Sequence, residues 1–83
     1  MIWNYRVIKD ELEGDVFYTI HAVYYTPKGN IKAWEIGPER PSGENLKNLE
    51  NDIKDIQEAL SKPVLEKWVN KKGELKLREV KRG

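Results

Sequence analysis

What most limits the fold of this chain is a change of hydrophobic period part-way along it. Up to about Ile36 the segments are strand-like, whereas Leu46, Leu49, Ile53, Ile56 and Leu60 recur at the 3-4-3-4 spacing of one helical stripe. Each element then carries an apolar face that needs a partner. The order implies an α+β domain with one helix laid across one face of an antiparallel sheet.

The strand segments read as follows. Ile2 to Ile8 is rich in strand formers and alternates Trp3, Tyr5 and Val7 with Asn4 and Arg6, which predicts a first strand. The acidic run from Asp10 to Asp15 contains Gly14 and predicts a reversal. Phe17 to Tyr25 is a second strand, whose even positions (Val16, Tyr18, Ile20, Ala22, Tyr24) form the more apolar face. Pro27, Gly29 and Asn30 predict a hairpin loop into a third strand, Ile31 to Ile36. Gly37-Pro38-Glu39-Arg40-Pro41-Ser42-Gly43 then ends pairing, because its prolines lack ladder donors.

Ser42 and Asn45 are the two candidate N-caps of the helix, since either side chain can accept a hydrogen bond from a first-turn amide. Burying its five-residue stripe would place the heart of the core beneath it. Pro63 sits where it can stop that helix or open a new turn, and Val64, Leu65, Trp68 and Val69 at helical spacing predict a short second helix over 63–69. Asn70 to Gly73 is a turn, and 74–80 reads as a fourth strand or an ordered extension. The expected architecture is a three-stranded antiparallel β-β-β-α domain over residues 1–65, followed by a basic extension over 66–83.

Length and composition narrow the function. Eighty-three residues allow one core and no second catalytic lobe. With no cysteine there is no disulfide framework, thiolate metal site or thiol nucleophile. No stretch approaches the roughly 20 apolar residues of a membrane span, and no signal-peptide pattern opens the chain, so a soluble cytoplasmic protein is expected. The 15 basic and 14 acidic residues nearly cancel, but over residues 66–83 seven basic groups face only Glu66, Glu74 and Glu79. A Lys-rich end of this kind is more often a solvated face than a ligand site.

Among groups that could carry chemistry, His21 is the single histidine, placed mid-strand. A general base would need an orienting carboxylate and a cleft, and no nucleophile motif accompanies it, so a half-buried, hydrogen-bonded histidine is the favoured reading. Carboxylates are scattered without metal-ligand spacing, and the glycines form no phosphate-cradling loop. Catalytic residues, cofactors and metals are therefore not expected. The eight aromatic rings are mostly needed inside so small a domain.

If the helix covers the Tyr18, Ile20 and Tyr24 face, then Phe17, His21, Val23 and Tyr25 are left on the opposite one. That face is the candidate partner-binding surface, for another protein or a second copy of this chain; the tail around Trp68, Leu75 and Leu77 could instead cover it from within. The alternative is single-stranded nucleic acid, with Lys71, Lys72, Lys76, Arg78, Lys81 and Arg82 on phosphates and rings on bases.

The ordered set Trp3-Asn4-Tyr5-Arg6-Val7-Ile8, Ile20-His21-Ala22-Val23-Tyr24-Tyr25, Pro27-Lys28-Gly29, Pro41-Ser42-Gly43-Glu44 and Ala59-Leu60-Ser61-Lys62-Pro63-Val64-Leu65 resembles a family of short, uncharacterised bacterial proteins. The likeness covers about residues 2–65. Ala22 departs from it, since relatives tend to carry glutamate there, which counts against a role for a carboxylate beside His21. The resemblance implies the chain plan and no activity. A looser likeness, to HicB-type antitoxins, lies in the strand-strand-strand-helix order and a Gly-x-x-Leu helix start, here Gly43 to Leu46; no DNA-binding appendage accompanies it.

Overall fold

The computed structural model describes residues 2–80. Among the described residues five strands form one mixed, nearly barrel-shaped sheet with a single α-helix. In chain order they are β1 (Ile2–Leu12), β2 (Asp15–Tyr25), β3 (Ile31–Trp34), α1 (Leu46–Glu58) with a 3-10 turn at Ala59–Ser61, β4 (Leu65–Val69) and β5 (Leu75–Glu79). The sheet order is β3-β2-β1-β4-β5. All pairs are antiparallel except β1 with β4, which run parallel at Ile8↔Leu65 and Lys9↔Glu66.

This corrects the three-stranded antiparallel expectation. The segment 63–69 carries apolar residues at helical spacing but contains a strand, because a helix that short is marginal by itself. As β4 it gains two sets of backbone partners instead, the edge of β1 and all five residues of β5. Val80 N–H donates to the Val64 carbonyl at 2.8 Å and extends the β4–β5 pairing beyond its last strand residue. The segment expected as a basic extension thus supplies two of the five strands.

The β1–β2 hairpin is longer than its composition suggested. Its register is unbroken from Ile2↔Tyr25 to Leu12↔Asp15, so Asp10, Glu11 and Asp15 lie within the strands and not in the turn. Exposed charged side chains do not prevent their backbones from pairing. Only Glu13 and Gly14 turn the chain, at φ of 53° and 87°, the left-handed geometry that suits a twisted two-residue hairpin.

Asn45 is the cap of α1, its Oδ1 accepting from the Asn48 amide at 2.9 Å. Gly43 packs so close to the backbone of Asn48 and Leu49 that a Cβ would collide with it. Asp52 ties the helix down: Oδ1 accepts from the Tyr5 hydroxyl at 3.0 Å and Oδ2 from the Ser42 amide at 2.9 Å.

No residue of α1 itself is fully buried, however, which overturns its expected place at the heart of the core. Leu46 and Leu60 are largely exposed. The helix side holds Tyr5, Val7, Ala22 and Ala59, with Ile20, Tyr24, Ile56 and Val64 against them. The largest fully buried side chains, Ile8, Val23 and Leu65, lie on the inner face of the curled sheet with Leu77, and Tyr25, Ile31 and Trp34 pack on them.

Candidate interaction surface on the β1–β2 arm

Strand alternation puts even residues of β1 and odd residues of β2 on the inner face. Within the barrel-like curl these include two buried polar side chains, Arg6 and His21, directly opposite one another across the ladder. His21 Nδ1 lies 2.9 Å from the Glu35 carbonyl oxygen and Nε2 lies 2.7 Å from the Thr19 hydroxyl. A carbonyl only accepts, so Nδ1 carries the proton and donates, and in the neutral ring Nε2 accepts from Thr19. Neither nitrogen is left for a substrate.

Arg6 Nη1 donates to the Tyr25 hydroxyl at 3.0 Å and Nη2 to the Pro63 carbonyl at 2.7 Å, and Tyr25 donates in turn to Asn4 Oδ1 at 2.7 Å. Arg6 Nε is buried without a partner. The network links β1, β2 and the chain leading into β4. It does the work of a floor that holds three segments together.

The four residues expected to form an open partner face are therefore divided. Val23 is fully buried in the cluster with Leu65, Leu77, Ile31 and Trp34, and His21 is nearly fully buried. Tyr25 is half-buried with its hydroxyl committed. Phe17 remains exposed. β4 and β5 close the inner face from within the chain through Leu65 and Leu77, whereas Leu75 of the expected tail cover is exposed.

What lies open is the outer end of the ribbon. Leu12, Val16, Phe17 and Tyr18 are all exposed there. The reason is one of length: an 11-residue strand spans about 36 Å at 3.3 Å per residue, while the 13-residue α1 spans only about 20 Å. A shallow concavity of about 140 Å³ lined by Lys9, Tyr18, Pro63, Val64 and Val80 continues the surface toward the base of the arm. Val16 and Tyr18 were read from the sequence as covered residues of the helix face. The signal that could have exposed them was this mismatch, hidden while the acidic run was taken for a turn.

The β2 edge is open along the same stretch. Glu35 and Glu39 amides donate to the Ala22 and Ile20 carbonyls at 3.0 and 2.8 Å, so the backbone groups of even β2 residues point away from β1. By the two-residue period those of Tyr18 and Val16 do too. The β2–β3 ladder covers only Val23 to Tyr25.

The basic residues gather on the β4–β5 hairpin. Lys71 and Lys72 are exposed in its turn. Lys76 lies 4.0 Å from Glu74, while Arg78 lies 3.4 Å from Glu66 and stacks over Trp68 at 5.2 Å. Lys81 and Arg82 lie outside the described residues. Among the described residues no group of three or more His, Asp or Glu is placed to hold a metal ion, and no helix is long and apolar enough to cross a membrane.

The chain matches no protein-family model, no curated protein and no solved structure.

Proposed function

We propose that this chain is a small binding or regulatory module, without catalytic activity of its own, that acts through protein–protein contact at the β1–β2 arm. One observation carries the reading: exposed Val16, Phe17 and Tyr18 occupy the stretch of β2 that lies beyond both the β3 ladder and the Glu35 and Glu39 amides, so its outward backbone groups are open. A strand edge of this kind captures extended backbone, with side chains on alternate faces supplying specificity. The committed hydrogen bonds of both His21 nitrogens support a binding role over acid–base chemistry.

The test is affinity capture from source-cell lysate with the wild-type chain and with Val16→Asp and Tyr18→Asp together, with and without nuclease. A stoichiometric protein that survives nuclease and is lost with the double variant is the expected result. Equal capture by both chains would remove the arm from the reading.

A second reading has its own observation, the placement of Lys76 and Arg78 opposite Trp68 and Glu66 on one side of the β4–β5 ladder. This is the pairing of ring and cation that single-stranded nucleic acid uses. It predicts binding that weakens steeply with salt and is lost in Trp68→Ala. No binding to an oligonucleotide at low salt would end it.

A further inference from the structure

We propose that the occupant of the open β2 edge is a second copy of this chain, paired antiparallel through residues 15–19 about a two-fold axis at Phe17. The inference deepens the arm reading above and rests on it.

The open run is bounded on both sides. At one end Gly14 turns the chain, and at the other the Glu39 amide already occupies the Ile20 carbonyl. Between them lie Asp15-Val16-Phe17-Tyr18-Thr19, with Val16 and Tyr18 aiming their N–H and C=O groups outward. An antiparallel copy centred on Phe17 sets Val16 opposite Tyr18 of the second copy, and Tyr18 opposite its Val16, as two hydrogen-bonded pairs. The four unpaired groups on each chain are then satisfied by the other's. Phe17 meets its own equivalent in the narrow, non-hydrogen-bonded position, and Asp15 meets an uncharged Thr19. No like charges are opposed. Centring on Tyr18 instead would require Ile20, whose carbonyl is taken; centring on Val16 would set Tyr18 opposite a glycine.

The two outermost strands of the sheet are protected by familiar means, and this stretch of β2 is not. β5 carries Lys76 and Arg78, and β3 is four residues long, contains Lys32 and joins β2 through an irregular register at Tyr24 and Tyr25. Charges, shortness and bulges of this kind discourage edge pairing. Residues 15–19 have no lysine, no proline and no register shift. The pairing would also bring Val16 and Tyr18 of the two copies together on one side of the joined sheet and the Phe17 rings together on the other. A two-fold contact of this type closes on itself and does not propagate.

The absence of native cysteine allows a register-specific test. Single variants Asp15→Cys, Phe17→Cys and Thr19→Cys are oxidised mildly, and cross-linked dimer is followed on non-reducing gels. In the proposed register only Phe17→Cys meets itself, with Cα atoms about 4.5 Å apart, within disulfide reach. It should cross-link at least tenfold faster than the other two. Wild-type protein should sediment as a dimer over a concentration series, and Val16→Pro, which deletes an outward N–H while sparing the β1 ladder, should shift it to monomer. As a control independent of backbone change, Phe17→Asp and Phe17→Lys chains should each be monomeric and form a heterodimer when mixed.

Cross-linking that is equal at all three positions, or absent at Phe17→Cys, overturns the proposal, as does a wild-type monomer at every concentration. If the chain is monomeric but still captures another protein through the arm, the self-pairing fails while the broader reading stands. If the dimer forms and nothing else is captured, the self-pairing stands without it.

Discussion

Over its inner half the β1–β2 ribbon buries Val7, Ile8, Ala22 and Val23 between the helix and the β4–β5 hairpin, leaving only Ile2 and Trp3 at its first residues exposed, while at its outer end Leu12, Val16 and Tyr18 are each at least half exposed. The two ends are built from the same two strands in one unbroken register. Backbone pairing therefore does not distinguish them. Their difference lies in what covers them, because α1 and the five-residue β4 and β5 are each shorter than the ribbon they pack on. Pairing reaches farther than burial here, and the uncovered remainder is what is available to other molecules.

The contrast is broken most directly by truncating one residue at each end. Ile8→Ala removes a fully buried side chain and should destabilise the fold by about 2–5 kcal/mol. Val16→Ala, at a half-exposed position, should change it by less than about 0.5 kcal/mol. Urea unfolding at concentrations too low for association measures both. Similar losses for the two variants would mean that the ends are not energetically distinct.

Thr19 locates the boundary more finely, since it adjoins exposed Tyr18 yet serves buried His21. Thr19→Val keeps the shape and leaves Nε2 without its donor, a loss of about 1–3 kcal/mol if the site is as dry as its burial implies. Imidazole nitrogen chemical shifts should report Nδ1 as the protonated atom in the wild type and a less well defined tautomer in the variant. Unchanged stability and shifts would show that water already reaches the ring, placing the wet end of the ribbon one residue pair farther in.

Much of this arrangement was legible in the chain. The 3-4-3-4 stripe located the helix and narrowed its cap to Ser42 or Asn45, and the alternation in 2–8 and 17–25 located the central hairpin. The mid-strand histidine was expected half-buried and hydrogen-bonded; both ring nitrogens have partners, and it is buried more deeply than alternation alone suggested. Misreadings came where local pattern competed with long-range pairing. Val64, Leu65, Trp68 and Val69 have helical spacing, yet the free edge of β1 made a strand the better use of Leu65 to Val69, and no local signal announces such an edge. The acidic run hid the last residues of β1, because charge predicts exposure and not the absence of a ladder. Those two errors together made the Phe17, His21, Val23 and Tyr25 face look open and left Val16 and Tyr18 out of the surface.

Alkaline pH tests the helix side of the covered end. Burial first, and then the hydrogen bond to Asp52, hold the Tyr5 phenol up at about 12, against its ordinary 10.0. The folded state therefore keeps a proton that the unfolded chain gives up, so the stabilisation is complete below pH 10 and declines as pH rises toward 12. Absorbance titration should show Tyr5 as the last of the tyrosines to ionise among those whose values are shifted. Tyr5→Phe should flatten the decline. A decline of equal slope in the variant would mean that the helix is not held on the ribbon through this phenol.

The smallest effect is predicted toward the outer end of the ribbon, where Lys67 of β4 donates to Asp10 Oδ2 at 2.7 Å, opposite Phe17 in the ladder, with both side chains roughly one-third exposed. The Lys67 hydrogen bond, supported by the Glu11 amide, holds the Asp10 carboxyl below its ordinary 3.8. A depressed folded value means stabilisation that is present above pH 3.8 and lost as the carboxylate is protonated in the folded state. Solvent screening keeps it to about 0.2–1 kcal/mol for a pair this exposed. Lys67→Ala should lose that much at neutral pH, and its gap from the wild type should close in acid and narrow in high salt. A gap that persists in acid would belong to packing of the lysine stem against the ribbon. In that case the covered end would extend to Asp10, and the arm free for partners would begin only beyond it.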